Sequence, residues 1–155
     1  MKHCLRYLQG TTSLGLIFER STPGIPKLIG YSDSSQNVDM DDGRSTGGHI
    51  FYLGRSLITW SSSKQDTVAL SSCEAEFMAG TEAAKHAIWL QELLSEVTEQ
   101  PVEKVLIRID NQSAIALTKN PECIEKGQVD VEHVSGKMQK ADILTKALEG
   151  SSLEK

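Results

Sequence analysis

The longest regular pattern of apolar residues in the chain follows Ser71. Small and apolar side chains recur there at alternating steps of three and four, the spacing of one helix face: Gly80, Ala83, Ala87, Leu90 and Leu94. Ser71, followed three residues later by Glu74, is typical of a capping box at a helix start. The pattern therefore predicts a long helix from Ser71 to about Val97, ended by Glu99-Gln100-Pro101.

Five shorter stretches have the alternating or continuous apolar pattern of β-strands. The predicted strands are Lys27–Asp33, Thr46–Leu53, Ser56–Ser61, Val105–Asp110 and Val129–Val134. Gly54 and Arg55 fit a hairpin between the second and third strands. The near-continuous apolar run of the fourth strand is typical of a central strand that is covered on both faces.

Less regular stretches predict the remaining elements. These are a helix over Met1–Gln9, a strand over Leu14–Glu19, a turn over Ser21–Pro26, a helix over Ser113–Thr118 and a last helix over Gln139–Leu148. The order after residue 27 is an antiparallel meander followed by βαβ units. This order predicts an α/β fold with a mixed sheet and helices packed on it.

Acidic residues occupy the ends of elements that would meet at one edge of this sheet. Asp33 and Asp110 each end a predicted strand, and Glu76 lies in the first turns of the long helix, on its apolar stripe. Asp142 lies near the start of the last predicted helix. Because binding sites in open α/β sheets form at the carboxyl ends of strands, we expect the four carboxylates to converge there.

Carboxylates gathered without a cation repel one another, and a divalent ion relieves that repulsion. Such ligands suit Mg²⁺ or Mn²⁺, and two ions about 4 Å apart can hold the attacking and leaving oxygens of a phosphodiester. The pattern therefore predicts metal-assisted phosphodiester hydrolysis. Taken singly, each residue has an ordinary alternative role: Asp33 as a turn cap, Asp110 as a helix opener, Asp142 as a partner of the helix dipole and Glu76 as a solvated rim residue.

Composition narrows the class of protein. The chain has 155 residues, of which 24% are charged and 39% hydrophobic, as expected for one globular domain. A net charge of −5 counts against a strongly basic, phosphate-gripping surface, but it allows an acidic metal site. Three cysteines without paired spacing indicate reduced thiols and no zinc site. With no apolar run of membrane-spanning length and no signal peptide in view, we expect an intracellular protein that is not secreted.

Several short motifs carry a more specific signal. They are Tyr31-Ser32-Asp33, Arg44-Ser45-Thr46-Gly47-Gly48, Thr59-Trp60-Ser61-Ser62, Ser71-Ser72-Cys73-Glu74-Ala75-Glu76-Phe77, Asp110-Asn111-Gln112-Ser113-Ala114-Ile115 and Ala141-Asp142-Ile143-Leu144-Thr145-Lys146. In this order they resemble the ribonuclease H region of copia-class retrotransposon polyproteins. Leu5–Thr11 resembles the end of the preceding reverse transcriptase portion. The resemblance implies a reverse transcriptase or connection remnant over residues 1–26, a ribonuclease H-like domain over 27–148 and a disordered tail over 149–155.

The same resemblance implies a fold and an activity. The fold is α/β, with a ribonuclease H-like mixed five-stranded sheet and helices packed on both of its faces. The activity is endonucleolytic hydrolysis of the RNA strand of RNA–DNA hybrids with two Mg²⁺ ions, for which Mn²⁺ could substitute. RNA–DNA hybrid is then the expected partner, a reverse transcriptase portion outside this chain is a candidate partner, and no membrane is expected to be involved.

Site residues carry over by motif. The resemblance makes Asp33, Glu76, Asp110 and Asp142 both catalytic and metal-binding. Glu76 is preferred to Glu74 because it precedes Phe77 and lies on the inward stripe. Contacts to phosphate or to the RNA 2′-hydroxyl are implied for Ser34, Ser35, Asn111, Gln112 and Ser113. The alternative for these five residues is ordinary turn and cap chemistry.

The chain also departs from the family pattern. A segment is missing between Pro121 and Glu122, where family members carry a longer basic helix, and its loss would expose apolar sheet surface. Arg108, on the same strand face as Asp110, could pair with the carboxylates. No histidine follows Gly136. Three hypotheses therefore stay open: an active ribonuclease, a non-catalytic relic that binds nucleic acid or another partner, and a decayed reading frame that does not fold stably.

Overall fold

A computed structural model of the chain describes residues 2–19, 27–35, 41–118 and 129–146. The strands are β1 (Leu28–Ser34), β2 (Thr46–Leu53), β3 (Ser56–Lys64), β4 (Val105–Ile109) and β5 (Val129–His133). They form one sheet in the order β3-β2-β1-β4-β5. β1, β2 and β3 pair antiparallel, whereas β1, β4 and β5 pair in parallel. The predicted mixed five-stranded sheet is confirmed.

The helices are α1 (Lys2–Gly10), α2 (Ser72–Thr98), α3 (Gln112–Thr118) and α4 (Asp142–Thr145), with a 3₁₀ helix at Gly136–Met138. Three of them, α2, α3 and α4, pack on the two faces of the sheet. α2 and α3 cover the face that includes Phe51, whereas α4 covers the face that includes Ile50 and Tyr31. Adjacent residues of β2 thus enter different cores, as the alternation of side chains along a strand requires. Among the described residues, no helix has the length and apolarity needed to cross a membrane.

The long helix α2 begins where the sequence predicts. Ser71 has an extended backbone, and its Oγ accepts a hydrogen bond from the Glu74 N–H at 3.1 Å. The Glu74 carboxylate accepts in turn from the Leu70 N–H at 2.6 Å. A standard capping box would use the N–H of the next residue, Ser71. The helix ends at Glu99, whose φ of 54° is left-handed. Both ends of α2 are therefore fixed by local chemistry.

Two predicted elements differ in the structure. Leu14–Glu19 forms no strand, and its end meets the start of β3 without a ladder: the Glu19 main-chain N–H donates to the Ser56 Oγ at 3.0 Å. The last helix, predicted over Gln139–Leu148, begins at Asp142 and ends at Thr145, while residues 147 and 148 lie outside the described part of the chain. Its start is displaced because Gln139 is extended and donates its side-chain N–H to the Ser32 carbonyl of β1 at 2.8 Å.

The predicted burial of β4 on both faces is wrong for one face. Leu106 and Arg108 remain half-buried, whereas Val105, Ile107 and Ile109 are buried. The central strand is β1, and β4 lies beside the edge strand β5, so one face of β4 has less cover. The predicted turn over 21–26, the break and missing segment within 119–128, and the tail over 149–155 lie outside the described residues.

Apolar side chains remain exposed on α2 and α3. Trp89, Leu93 and Val97 recur at four-residue steps along α2 and are 53%, 41% and 73% exposed, and Leu117 of α3 is 50% exposed. The sequence predicted that a missing segment would uncover the sheet. In the part of the chain that the structure describes, the sheet residues beneath α2 are buried, whereas Trp60 of the edge strand β3 is 52% exposed.

Gly30 is required by close packing at the centre of the sheet. A Cβ at Gly30 would lie 2.5 Å from Phe51 Cε1, and the Phe51 side chain is fully buried. We expect Gly30→Ala to lower the free energy of unfolding by about 1–3 kcal/mol, the usual cost of overpacking. Urea denaturation measures this loss. Gly15→Ala is the matched control, since no atom lies within 4 Å of its Cβ position, and equal stability of the two variants would contradict this packing.

Candidate metal centre at the ends of β1 and β4

Parallel pairing of β1 with β4 brings two aspartates together. Tyr31 pairs with Arg108 in the register, so Asp33 and Asp110, each two residues further along, lie side by side. Glu76 reaches the same place from the second turn of α2. Each of the three carboxylates offers an oxygen that lies within 4.8 Å of the others. The structure thus gathers three of the four predicted carboxylates at the carboxyl ends of parallel strands.

Glu76 is the most perturbed member of this cluster. Its side chain is buried, and Oε1 accepts a hydrogen bond from the Ser34 N–H at 3.0 Å. The other oxygen, Oε2, is buried and has no hydrogen-bond partner among the residues that the structure describes. Burial, followed by the negative charges of Asp33 and Asp110, raises the pKa of Glu76 to about 8. Such a carboxylate is costly to ionise in the absence of a cation.

Asp33 is almost fully buried, at 1% exposure, and is held from α4. Its Oδ2 accepts a hydrogen bond from the Thr145 hydroxyl, and Lys146 Nζ lies 3.9 Å from the same oxygen. Burial raises the pKa of Asp33 above its ordinary value, while the Thr145 hydroxyl and the Lys146 ammonium oppose that rise. Asp33 therefore joins the cluster to α4 on the opposite face of the sheet.

Asp142, the fourth predicted carboxylate, lies beside the cluster and is not one of the three gathered residues. It is the first residue of α4, and its Oδ1 accepts from Lys146 Nζ at 2.5 Å. Its negative charge acts to raise the pKa of Asp33. Asp142 is thus close enough to interact with the cluster, but Lys146 neutralises it.

The predicted contact residues divide into two groups: the first makes hydrogen bonds within the fold (Ser34, Ser35 and Asn111), and the second is exposed (Gln112 and Ser113). Ser34 and Ser35 are buried, and Ser35 Oγ accepts from the Thr46 N–H at 2.9 Å. Asn111 Oδ1 accepts from the Ala114 N–H at 3.0 Å, which caps α3. Gln112 and Ser113 are exposed on the first turn of α3, next to Asp110 in sequence. Only the second group presents side chains to solvent near the carboxylates.

Arg108 does not pair with the carboxylate cluster. Its guanidinium donates to the Tyr31 hydroxyl at 3.0 Å and to Glu132 at 3.1 Å. A nitrogen of His133, on the edge strand, lies 3.2 Å from the Asp110 carbonyl oxygen. Arg108 therefore links β1, β4 and β5 on the face of the sheet.

Sequence reasoning assigned no role to Thr145 and Lys146, although both follow Asp142 within one helical turn. A lysine four residues after an aspartate is a common helical ion pair, so the Lys146–Asp142 contact had a local signal. The contact from Thr145 to Asp33 spans 112 residues and had none. On the α4 side, Lys146 supplies the positive charge beside the carboxylates and Thr145 supplies a hydrogen bond.

The donor set fits a hard divalent cation. Oxygen ligands alone are typical of magnesium, calcium or manganese sites. The three gathered carboxylates repel one another when ionised, and the unpartnered Glu76 Oε2 lacks the donor that a buried oxygen normally has. A divalent ion would supply both the missing partner and the missing positive charge.

Comparison with known sequences gives relatives across nearly the whole chain. The Pol polyprotein of tobacco transposon TNT 1-94 is 35% identical over 99% of this chain and 13% of its own length. The Pol polyprotein of Arabidopsis transposon RE2 is 35% identical over 96% of this chain and 11% of its own length. Secreted RxLR effector protein 161 of Plasmopara viticola is 49% identical over 58% of this chain and 62% of that protein. No family model matches the chain.

The tobacco comparison also bears on the missing segment. The match runs over 171 positions, more than the 155 residues of this chain. The chain is therefore shorter than the tobacco polyprotein inside the matched region. This supports the predicted internal deletion, while its position after Pro121 lies outside the described residues.

Solved structures show which fold this is. The N-terminal RNase H domain of a Mycobacterium tuberculosis protein matches with a TM-score of 0.54 at 13% identity, over 79% of this chain and 91% of that one. LC11-RNase H1, solved in complex with an RNA/DNA hybrid, matches with a TM-score of 0.50 at 15% identity, over 77% and 94%. The chain therefore belongs to the copia-type retrotransposon Pol polyproteins and corresponds to their ribonuclease H region.

Proposed function

We propose that this domain is a metal-dependent endonuclease that hydrolyses the RNA strand of RNA–DNA hybrids. The observation that carries the proposal is the convergence of Asp33, Glu76 and Asp110 within 4.8 Å at the ends of β1 and β4. Two features support it further: the buried, unpartnered oxygen of Glu76, and a fold shared with an RNase H1 that was solved with an RNA/DNA hybrid. Asp142, beside the cluster on α4, completes the proposed catalytic set.

Each carboxylate has a distinct task in this proposal. Asp33, Glu76 and Asp110 would hold one Mg²⁺ ion, for which Mn²⁺ could substitute, and Asp33 with Asp142 would hold a second. When bound, such ions polarise the phosphoryl oxygen and activate water for attack. The Ser34 N–H fixes one oxygen of Glu76, so that the other, Oε2, would be available to hold an ion. The Thr145 hydroxyl orients Asp33 in the same way.

Substrate contacts are proposed for the exposed start of α3. Gln112 and Ser113 offer an amide and a hydroxyl beside Asp110, and these groups suit a phosphate or the RNA 2′-hydroxyl. Ser34, Ser35 and Asn111 were also implied as contacts. Their described hydrogen bonds support an indirect role for all three: Ser34 positions Glu76, Ser35 joins β1 to Thr46 of β2, and Asn111 caps α3.

The proposed assembly places this domain beside a reverse transcriptase portion inside the cell. The tobacco and Arabidopsis relatives are Pol polyproteins of which the chain spans 13% and 11%. The exposed apolar side chains of α1, such as Leu5 at 63% and Leu8 at 60%, support residues 1–26 as a remnant of a preceding region. Residues 27–148 would then be the domain, and residues 149–155 a tail.

A non-catalytic relic of the same domain is the second candidate. It is favoured by the internal shortening of the chain against the tobacco polyprotein. The net charge of −5 points the same way, because the electrostatic part of nucleic-acid affinity depends on basic residues. The two candidates differ in metal-dependent cleavage of a hybrid.

Cleavage of a labelled RNA–DNA hybrid with Mg²⁺ or Mn²⁺ tests the proposal directly. Loss of a residue that only supports a metal ligand typically lowers activity roughly 10–100-fold. We expect Asp110→Asn to lower the cleavage rate by more than this, because it removes a proposed ligand itself. Asp130→Asn is the matched control, since Asp130 pairs with Lys104 at the opposite end of β4. A cooperatively melting wild-type protein that cuts no hybrid with either ion would leave the relic.

The pH dependence of metal binding follows from Glu76. Its pKa rises from 4.5 to about 8 on folding because of burial and the neighbouring aspartates. The folded protein thus keeps a proton that the unfolded chain has released, so the metal-free protein loses stability as pH rises through this range. An ion needs ionised Glu76, so Mg²⁺ binding should tighten as pH rises towards 8 and release a proton.

Calorimetry in buffers of different ionisation enthalpy measures that proton, and melting in EDTA measures the stability. Glu76→Gln should weaken both pH dependences. Glu74→Gln, two residues earlier on α2 and outside the cluster, is the control and should keep them. Identical proton release by wild-type protein and Glu76→Gln would show that another group titrates.

A further inference from the structure

Lys146 places a positive charge between two of the proposed ligands. Its Nζ lies 2.5 Å from Asp142 Oδ1 and 3.9 Å from Asp33 Oδ2. One ammonium therefore bridges the carboxylates on the α4 side. A second divalent ion shared by Asp33 and Asp142 would need the space that this ammonium occupies.

The two sides of the cluster are neutralised differently. On the α2 side, Glu76 Oε1 accepts from the Ser34 N–H, and the buried Oε2 has no partner within the described part of the chain. On the α4 side, Asp33 accepts from the Thr145 hydroxyl and Asp142 from the Lys146 ammonium. A cation arriving at the α2 side meets an unsatisfied carboxylate, whereas one arriving at the α4 side meets an existing ion pair.

We propose that Lys146 is a built-in counter-ion that holds the Asp33–Asp142 side in the metal-free protein and competes with the second divalent ion. The inference rests on the proposed function, since it concerns the two ions of that same site. Asp33, Glu76 and Asp110 would hold the first ion with Lys146 in place. Asp33 and Asp142 would hold a second ion only once the ammonium has moved away, because the ammonium and a divalent ion repel each other at this distance.

Lys146 can leave without movement of the backbone. Its side chain is 53% exposed and ends a flexible four-carbon stem. The segment before it is fixed: Ser62 Oγ donates to the Leu144 carbonyl at 2.6 Å. Gly48 of β2 also packs closely against Leu144, because a Cβ added at Gly48 would lie 2.8 Å from the Leu144 Cβ. Entry of the second ion therefore displaces a side chain and leaves α4 in place.

Titration of the metal-free protein with Mn²⁺, followed by calorimetry, tests this competition. Lys146→Met removes the charge and keeps an apolar stem. We expect it to tighten the second binding step about tenfold or more, the effect that one neighbouring charge has on the ionisation of a carboxylate, with a smaller change in the first step. Lys104→Met loses the same charge at the opposite end of β4, where Lys104 lies 3.7 Å from Asp130, and should bind Mn²⁺ as wild-type protein does.

Melting in EDTA gives a second readout that needs no metal. Lys146→Met should melt at a lower temperature than Lys104→Met, because Asp33 and Asp142 lose their counter-ion, and Mg²⁺ should raise its melting temperature by more. A second step that is absent or no tighter in Lys146→Met would overturn the counter-ion role alone. Loss of Mn²⁺ binding in every protein, wild-type included, would overturn the proposed function as well. Lys146→Gln provides the same comparison if Lys146→Met does not fold.

Discussion

The repulsion among buried carboxylates is the constraint on which the rest of this structure depends. Asp33 and Glu76 are 1% and 7% exposed, and with Asp110 they converge within 4.8 Å. Burial raises the pKa of both Asp33 and Glu76, so their ionised forms oppose folding. An arrangement of this kind persists only when packing elsewhere fixes the elements that carry it.

Close packing of α2 on the sheet supplies much of that support. Small residues face the strands where the helix crosses them, and Ala83 and Ala87 are fully buried. Gly80 lies so near the sheet that an added Cβ would stand 3.0 Å from Ile109 Cδ1. Because an α-helix is rigid over one turn, this approach also sets how far Glu76 reaches towards the strand ends. The close packing of α2 on the sheet therefore also determines how deeply the Glu76 carboxylate lies.

Local signals explain how much of the fold and the site could be predicted. Asp33 and Asp110 follow apolar strands, and the inward apolar stripe of α2, together with Phe77, selects Glu76 over the capping residue Glu74. The position of Asp142 depended on the last helix, whose start is displaced by a bond from Gln139 to Ser32, 107 residues away. Local periodicity carries no information on a contact of that range, and the same is true of Thr145 with Asp33. The contacts around the carboxylates on the α4 side could therefore be identified only from the structure.

The shortening of the chain bears on the surface more than on the carboxylates. The exposed residues Trp89, Leu93 and Val97 lie in the second half of α2, more than three turns beyond Glu76. The site is held by the β1–β4 pairing, by the Ser71 cap and by the bond from Ser62 to α4. None of these contacts involves the region between α3 and β5 in which the deletion is predicted. Loss of a basic helix there would remove a cover and a source of basic residues, so it would affect solubility and hybrid affinity before it affected the geometry that would hold metal.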